Sequence, residues 1–381
     1  MNRKYKVFII QAIIKQYREA FYHKLWSRLA RFGVDLTVLY STPGRIDDSK
    51  RDNIELPPGM GKKVPRLYFL NDRILLQGMA VSDLLNSDLI IIGQMSGCLH
   101  NYPLLLLSRL GLKKVAFWGH GYNLQGNPKS FSESVKRGLV NWVNWWFAYT
   151  PGTARYLISA GVSPDRITSV DNAIDTKRFR ELVKSVSIEE TKNMKHHLGI
   201  NEGDRVGIYC GSLYAEKMIP FLINTGLRIA EIDPRFRLLV VGGGSEADFV
   251  RRASDANRCL VYAGPLFGRD KAVCFSMSEV SLNPGAVGLG ILDSFAAGLP
   301  YVTTCNARHC PEIDYLDSGV NGLMVSGDEV AFANAILELL SNPDRIAMMR
   351  KAAEETAARY TVENMVENMS NGILACLEIK E

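Results

Sequence analysis

The sequence predicts an α/β fold of two Rossmann-like, doubly wound domains that face a central cleft. Its 381 residues are more than a domain with a single hydrophobic core usually contains, and they fit two domains of about 150–200 residues each. In both halves, short apolar runs alternate with helical segments, which is typical of βαβ units and a parallel sheet. Glycines follow most of these runs, at the strand ends where open α/β sheets bind their ligands.

The first half opens with a buried strand followed by a helix. Residues 7–10 read Val-Phe-Ile-Ile, and the helix after them carries apolar residues at helical spacing before Gly33 ends it. Those apolar residues are Phe21, Leu25, Leu29 and Phe32. Further strands are predicted at residues 36–40, 89–92, 115–118 and 146–150. We assign residues 1–180 to this first domain.

A polar stretch without a strand pattern separates the two halves. We interpret residues 181–200 as the interdomain connection and assign residues 201–360 to the second domain. The strands of that domain are predicted at residues 206–210, 238–241, 260–263, 280–282 and 301–304. A last helix is expected within residues 361–381, where four apolar residues recur every four positions. They are Met365, Met369, Ile373 and Leu377.

The formal net charge of +5 conceals an asymmetry between the halves. Residues 1–180 hold 26 Lys and Arg against 13 Asp and Glu, whereas residues 181–381 hold 19 against 27. A basic first half is expected to face an anionic partner, either a membrane surface or nucleic acid, although a solvated basic surface is the simpler alternative. The sequence shows no nucleic-acid recognition motif, which favours the membrane. The candidate basic residues are Lys62, Lys63, Arg66, Lys113, Lys114, Lys136 and Arg137.

The cysteines and the apolar runs bear on location. Seven cysteines are scattered without a complete metal-ligand pattern, and an odd number in a chain of this size fits a reducing cytosol. The apolar run at residues 7–10 is too short for a signal peptide or a membrane span. We therefore expect a soluble-bodied, cytoplasmic protein.

The strongest motif lies at residues 283–300, Asn-Pro-Gly-Ala-Val-Gly-Leu-Gly-Ile-Leu-Asp-Ser-Phe-Ala-Ala-Gly-Leu-Pro. A strand ends, a glycine-rich turn follows, and a helix is expected to begin near Gly288 and end at Gly298. Glycines let a ligand approach the backbone, and the N–H groups at a helix start attract an anion. The alternative is an ordinary βα connection. A nicotinamide fingerprint is discounted because residues 242–244 lack the Gly-x-Gly-x-x-Gly spacing.

This block resembles the donor-binding signature of retaining glycosyltransferase family 4, whose members have the GT-B fold. Three further stretches resemble the family in the same order: residues 211–217 (Gly-Ser-Leu-Tyr-Ala-Glu-Lys), 241–246 (Val-Gly-Gly-Gly-Ser-Glu) and 171–175 (Asp-Asn-Ala-Ile-Asp). The chain departs from the pattern at three positions. Gly285 replaces the first Glu, Asp293 replaces the second, and Ser212 replaces the usual Arg. These departures indicate a subgroup with a Pro-Gly-x-Val-Gly-Leu loop, in which the N–H groups of residues 287–289 replace a carboxylate.

The resemblance implies roles for individual residues. Lys217 is expected to neutralise the diphosphate leaving group, and Asp293 to accept the ribose hydroxyls. His120, bracketed by glycines, is expected beside the donor sugar as a third catalytic residue. The other donor-binding residues are Gly211, Ser212, Gly243, Gly264, Pro265, Gly285, Val287, Gly288, Leu289 and Glu312. Tyr17 and Arg18 are expected to meet the acceptor, with Arg18 holding a phosphate.

Each of these residues has a simpler structural explanation. Lys217 and Arg18 fit solvated surface positions, Asp293 and Glu312 fit helix starts, and His120 fits a packing role. The resemblance also implies that the last helix crosses back to the first domain.

The predicted activity is a metal-independent, retaining hexosyl transfer from a nucleotide-sugar donor to a lipid-linked or polysaccharide acceptor. Its setting would be cell-surface glycan synthesis, such as lipopolysaccharide or capsule, at the inner face of the cell membrane. No Asp-x-Asp sequence is present, so neither a metal nor a cofactor is expected. Two alternatives stay open: a catalytically silent sugar-nucleotide-binding protein, and a nucleotide-sugar epimerase on the same fold.

Overall fold

A computed structural model describes residues 4–42, 53–69, 74–121 and 136–379 of the chain. The chain divides into two compact units, the first comprising Met1–Asn172 with Val362–Glu381 and the second Ala173–Thr361. Each unit is built on a parallel sheet. The predicted fold class, α/β with parallel sheets in two domains, is confirmed.

The first unit contains a seven-stranded sheet in the order β3-β2-β1-β6-β7-β8-β9. Its order reverses between β1 and β6, which pair in parallel from Val7↔Leu89 to Ile10↔Ile92. The strands of this sheet are β1 (Tyr5–Ile10), β2 (Val34–Tyr40), β3 (Gly61–Lys63), β6 (Leu89–Gly93), β7 (Val115–Gly119), β8 (Trp145–Ala148) and β9 (Ile167–Ser169). A separate antiparallel hairpin joins β4 (Arg66–Phe69) to β5 (Ile74–Gln77). The central strands are buried on both faces, which explains their continuous apolar runs.

Helices cover the sheet of the first unit. They are α1 (Glu19–Ala30), α2 (Val81–Asn86), α3 (Asn101–Arg109) and α4 (Pro151–Ser159), together with the last helix of the chain, α13 (Val362–Leu377). Helix α13 packs on α1 and against β8 and β9. At Gly372 it approaches β9 so closely that an added Cβ would lie 3.0 Å from Thr168 Cβ. The apolar face of α13 therefore completes the core of the first unit.

The second unit contains a six-stranded sheet in the order β12-β11-β10-β13-β14-β15. Its strands are β10 (Arg205–Cys210), β11 (Phe236–Val241), β12 (Leu260–Gly264), β13 (Val280–Leu282), β14 (Tyr301–Thr304) and β15 (Gly322–Val325). Its helices are α5 (Thr176–Lys184), α6 (Ile188–His197), α7 (Ile219–Ile232), α8 (Ala247–Ala256), α9 (Gly268–Ser276), α10 (Gly290–Ala296), α11 (Glu329–Leu340) and α12 (Pro343–Arg359). The order reverses between β10 and β13, which is where doubly wound sheets form their ligand crevice.

The boundary between the units differs from the predicted one. The first unit ends at Asn172 rather than at residue 180, and residues 181–200 lie inside the second unit instead of linking two domains. The physical reason is packing, because Phe179 of α5 meets Phe275 edge to face at 5.3 Å and the Arg269 guanidinium binds Glu190 of α6. A polar helical stretch does not reveal such contacts from sequence alone.

Candidate functional site

The candidate residues of the second unit gather at the carboxyl edge of its sheet. Gly211 and Ser212 follow β10, Gly243 follows β11, and Gly264 ends β12 with Pro265 after it. Residues 285–289 follow β13, and Glu312 lies in a short 3-10 helix, Pro311–Tyr315, after β14. Since β10 and β13 are neighbours at the reversal of strand order, their loops meet at the switch point of the sheet.

The glycine turn after β11 packs backbone to backbone against the loop after β10. An added Cβ at Gly242 would collide with the Gly211 carbonyl, and one at Gly244 would lie 2.8 Å from the Leu213 carbonyl carbon. The Leu213 N–H donates to the Gly243 carbonyl at 2.9 Å. Gly242 and Gly244 also have φ values of 152° and 153°, so both positions require glycine. Gly243 is the glycine of this turn with room beside it, since an added Cβ would lie 3.8 Å from Pro265 Cβ.

Lys217 joins the loop after β10 to the loop after β13. It ends a 3-10 helix, Ala215–Lys217, and Met218 then takes a left-handed conformation before α7 begins. The Lys217 ammonium donates to the Ala286 carbonyl. Burial lowers the pKa of Lys217, while Cys310, Glu216 and Glu312 act in the opposite direction. Lys217 thus brings one cation to the switch point.

Gly285 lies directly on the backbone of that lysine loop. An added Cβ would lie 2.5 Å from the Glu216 carbonyl oxygen and closer still to the Lys217 backbone carbons. The Ala286 N–H donates to the same Glu216 carbonyl at 2.8 Å. This loop geometry has no space for a glutamate side chain at position 285, which accounts for the first departure from the family pattern.

His309 holds the other side of the loop after β13. The Val287 N–H donates to His309 Nδ1 at 3.2 Å, and His309 Nε2 lies 2.7 Å from the Thr304 carbonyl. The Cys310 N–H in turn donates to the Val287 carbonyl at 2.9 Å. The sequence indicated no such role for His309; its place just after β14, at the ligand-binding edge of a sheet, was the available signal.

The bond from Val287 corrects one expectation. Residues 287–289 were expected to offer their N–H groups to the donor, but the N–H of Val287 is taken by His309. Within the described residues, the N–H groups of Gly288 and Leu289 have no protein acceptor. Only these two stay available for a ligand.

Asp293 forms an ion pair that the sequence did not predict. Lys271 Nζ lies 2.7 Å from Asp293 Oδ2, with the two side chains 20% and 15% exposed. The Lys271 ammonium also lies 4.7 Å from the ring centroid of Phe179. Burial opposes the charge of Lys271, but the charge of the Asp293 carboxylate and its hydrogen bond to the lysine raise the pKa of Lys271. One carboxylate oxygen of Asp293 is thus bound to a lysine, and among the residues that the structure describes the other accepts no hydrogen bond.

Glu312 is 4% exposed and buried beside this cluster. Its charge acts on Lys217 and on Cys310, whose thiol pKa is raised by burial first and by Glu312 second. An acid in this position balances the cation of the lysine loop within the second unit.

In the first unit, His120 follows β7 directly. Its ring lies edge-on to the Tyr149 ring, with the centroids 4.5 Å apart. His120 is an exposed residue. Desolvation by the surrounding protein, assisted by the Lys136 charge, nevertheless lowers the pKa of His120 from 6.5 to about 4. An added Cβ at the preceding Gly119 would lie 2.9 Å from Gln94 Cβ, so the backbone here admits no side chain. His120 is a neutral imidazole near pH 7.

Arg18 has a different environment from the one expected. It is 7% exposed, and its guanidinium donates to Asn172 Oδ1 and contacts Met365 Sδ at 3.2 Å. The guanidinium also lies 5.4 Å from the ring centroid of Trp118. Arg18 therefore ties α13 and the end of the first unit to the segment after β1, where the sequence suggested a surface contact with an acceptor phosphate. Tyr17, by contrast, is 45% exposed.

Residues 204–342, which contain the lysine loop and the loop after β13, match the family model described as Glycosyl transferases group 1. This part of the chain is therefore similar to that family. The match includes all the donor-side candidates from Gly211 to Glu312, and it supports the predicted resemblance to a glycosyltransferase family.

Curated proteins that are similar to the chain carry glycosyltransferase names. EpsD of Bacillus subtilis, a predicted glycosyltransferase, is 24% identical over 282 residues, which is 68% of either chain. A D-inositol 3-phosphate glycosyltransferase of Stackebrandtia nassauensis is 26% identical over 222 residues, or 54% of this chain and 48% of that protein. The second match thus spans about half of the relative.

Solved glycosyltransferase structures share the whole fold. Anabaena HepE in complex with UDP has a TM-score of 0.69 at 16% identity, covering 97% of this chain and 99% of HepE. The lipopolysaccharide outer core galactosyltransferase WaaB has a TM-score of 0.61 at 15% identity, with 97% and 99% covered. A structure assigned as a UDP-N-acetylglucosamine 2-epimerase of Listeria monocytogenes has a TM-score of 0.64 at 14% identity, with 100% and 98% covered.

Among the residues that the structure describes, no helix is both long and apolar enough to cross a membrane. In the same residues, no three His, Cys, Asp or Glu side chains group as a metal site.

Proposed function

We propose that the chain is a retaining glycosyltransferase that transfers a sugar from a nucleotide-sugar donor to a lipid-linked or polysaccharide acceptor in cell-surface glycan synthesis. The observation that carries this proposal is Lys217, a cation fixed between two loops at the switch point of a family-matched domain. HepE, solved with UDP, and WaaB, a lipopolysaccharide galactosyltransferase, support the donor and the acceptor class.

The chemistry assigned to Lys217 is charge neutralisation. Departure of a nucleoside diphosphate develops negative charge, and a preorganised cation lowers the energy of that step. An ammonium carries three protons, and the Ala286 carbonyl accepts only one of them. The remaining two, with the N–H groups of Gly288 and Leu289, are the donors that we assign to the diphosphate.

Asp293 and Glu312 supply the carboxylates of the proposed donor site. Asp293 Oδ1 would accept a ribose hydroxyl, while Oδ2 stays with Lys271. Glu312 would contact the donor sugar, where the pattern of the family has a loop acid. We assign the remaining contacts with the nucleotide to the backbone, and these involve Gly211, Ser212, Gly243, Gly264 and Pro265.

His120 and Tyr17 are the residues that we assign to the sugar and the acceptor in the first unit. The neutral His120 has ring nitrogens that can both donate and accept a hydrogen bond near pH 7. The exposed Tyr17 offers an aromatic surface and a hydroxyl. We further propose that no metal is needed, because Lys217 already supplies the positive charge and the sequence has no Asp-x-Asp.

The test is transfer by the purified chain across a panel of nucleotide sugars, with lipid-linked and polysaccharide acceptors, in EDTA and in added Mg²⁺. Transfer with the anomeric configuration of the donor retained, at equal rates in both conditions, supports the proposal. Inversion, or dependence on Mg²⁺, contradicts the retaining and metal-independent parts. Isomerisation of the donor sugar would indicate an epimerase, and donor binding without turnover would indicate a silent binding protein.

A further inference from the structure

The loop of residues 284–288, here named the donor loop, is fixed from two sides by hydrogen bonds. On one side, the Ala286 N–H donates to the backbone carbonyl of Glu216, and the Ala286 carbonyl accepts from the Lys217 ammonium. On the other side, the Thr304 hydroxyl donates to the Pro284 carbonyl at 2.7 Å. Each of these bonds uses a backbone group of the loop, so the loop conformation depends on its neighbours rather than on its own side chains.

His309 adds a side-chain acceptor to this arrangement, and its hydrogen bonds define one tautomer. The Val287 N–H is a donor, so Nδ1 of His309 must carry a lone pair. Nε2 then carries the proton and donates to the Thr304 carbonyl at 2.7 Å. The imidazole thus links the donor loop to the end of β14 only while it is neutral.

The surroundings of His309 oppose its protonation. Burial lowers its pKa from 6.5, and the Lys217 charge lowers it further, against the Thr304 and Gly285 backbone groups. Lys217 itself faces Cys310, Glu216 and Glu312. If Nδ1 were protonated, the imidazolium N–H and the Val287 N–H would be two donors facing each other, and the hydrogen bond would be lost. The protonated ring would also be a second cation near Lys217.

We propose that His309 is a positioning residue of the donor site, which as a neutral imidazole fixes Val287 and so aims the free N–H groups of Gly288 and Leu289. Protonation of His309 breaks its bond to the Val287 N–H, so that Val287 is held only through its carbonyl by the Cys310 N–H, and donor binding weakens. This inference rests on the proposed function, because it takes the donor loop as the diphosphate site. In this chain His309 thus fixes the conformation of a loop whose position 285 has no room for the glutamate of the family pattern.

Two substitutions at position 309 test whether the acceptor Nδ1 is the atom that fixes Val287. In His309→Asn, the side-chain Oδ1 is bonded to Cγ as Nδ1 is in histidine, so it can accept a hydrogen bond from the Val287 N–H. In His309→Leu, the side chain has no acceptor. We expect His309→Leu to raise the donor KM about tenfold, the equivalent of one lost hydrogen bond, with a smaller effect on kcat. We expect His309→Asn to stay near the wild type. His196→Leu, at an exposed position of α6, is the matched control.

The pH profile gives a second readout that a merely structural role would not produce. Because the pKa of His309 is lowered from its ordinary value, the donor KM of the wild type should rise only on the acid side of that ordinary value, and the profile of His309→Asn should stay flat there. A donor KM unchanged in His309→Leu, or the same acid rise in His309→Asn, would overturn the proposal. His309→Asn behaving like His309→Leu would also overturn it, because Nδ1 would not be the working atom.

Hydrogen exchange tests the loop without any turnover. In the full-length chain without ligand, the Val287 amide should exchange faster in His309→Leu than in the wild type or in His309→Asn. Isothermal titration with UDP, at pH 5 and pH 7.5, follows donor-side binding separately. If no donor is turned over, the proposed function fails, whereas unchanged Val287 exchange in a folded His309→Leu would mean that the positioning role fails.

Discussion

The α-carbon of Gly285 rests on the backbone of Lys217, and an added Cβ would approach the Glu216 carbonyl oxygen to 2.5 Å. The two loops that contribute the cation and the glycine-rich turn are therefore in direct backbone contact. Lys217 closes the same contact by donating from its ammonium to the Ala286 carbonyl. Any side chain at position 285 must separate these loops before it can reach a ligand.

Gly285→Ala should destabilise the protein by about 1–3 kcal/mol, because a methyl group forced into a packed backbone contact causes strain. Urea unfolding of the full chain measures this change. Gly203→Ala is the matched control, since nothing lies within 4 Å of a Cβ added there. Equal stability of the two variants would show that the loops separate at little cost.

Lys217→Ala should lower kcat by at least about 10²-fold, since removal of one preorganised charge-stabilising donor costs about 2.7–4 kcal/mol. Steady-state kinetics with the best donor of the panel measures it. Lys192→Ala removes an exposed lysine of the same unit, paired with Glu202 at 3.3 Å, and should leave kcat unchanged. Near-normal turnover of Lys217→Ala would remove this lysine from the mechanism.

Lys271→Ala should raise the donor KM, because Asp293 loses the partner that fixes its carboxylate. A double-mutant cycle with Asp293→Ala measures the coupling, which we expect at about 1 kcal/mol or more for residues in direct contact. Additive effects of the two substitutions would mean that Asp293 binds the donor independently of Lys271. Arg251→Ala, which breaks an exposed pair with Asp248, is the control and should leave the donor KM unchanged.

His120→Ala should lower kcat about tenfold, the equivalent of one hydrogen bond made to the reacting sugar. Because the pKa of His120 is lowered to about 4, the residue stays neutral from pH 8 down to about 5. Protonation of His120 should therefore cause no change in the wild-type rate over that pH range. The imidazolium would form only at still lower pH. A His120→Ala variant with full activity would leave His120 with a packing role against Tyr149.

Binding to acidic vesicles should be strong at low salt and weak at physiological salt, since the screening length falls from about 30 Å at 0.01 M to about 8 Å at 0.15 M. Each Lys or Arg near the surface contributes about 1 kcal/mol, so three or four well-placed cations suffice for reversible attachment. The candidates are the seven basic residues of the first half, of which Lys62, Lys63 and Lys114 also pair with Asp83, Glu55 and Glu378.

Vesicle sedimentation measures this binding, with neutral vesicles for comparison. The double charge reversal of Lys136 and Arg137 to Glu should weaken binding, and Lys192→Glu in the second unit should not. Equal binding to neutral and acidic vesicles, or none at low salt, would contradict docking on a membrane.

The strands and the order of the motifs could be predicted from the sequence, because both depend on local patterns. Continuous apolar runs ending in glycine mark buried parallel strands, and each predicted strand of the second domain lies within two residues of an observed one, as with residues 206–210 and β10 (Arg205–Cys210). The domain boundary could not be predicted in the same way. It depends on contacts such as Phe179 with Phe275, which join residues nearly one hundred positions apart.

The sequence by itself determined the fold class, the family resemblance and the set of residues at the carboxyl edge of the second sheet. Only the tertiary structure decided how those residues are used: Val287 bonds to His309, Asp293 pairs with Lys271, and Arg18 is buried against Asn172. The reason is that a strand or a glycine turn follows from neighbours along the chain. A hydrogen-bond partner depends on which distant side chain folding brings within about 3 Å.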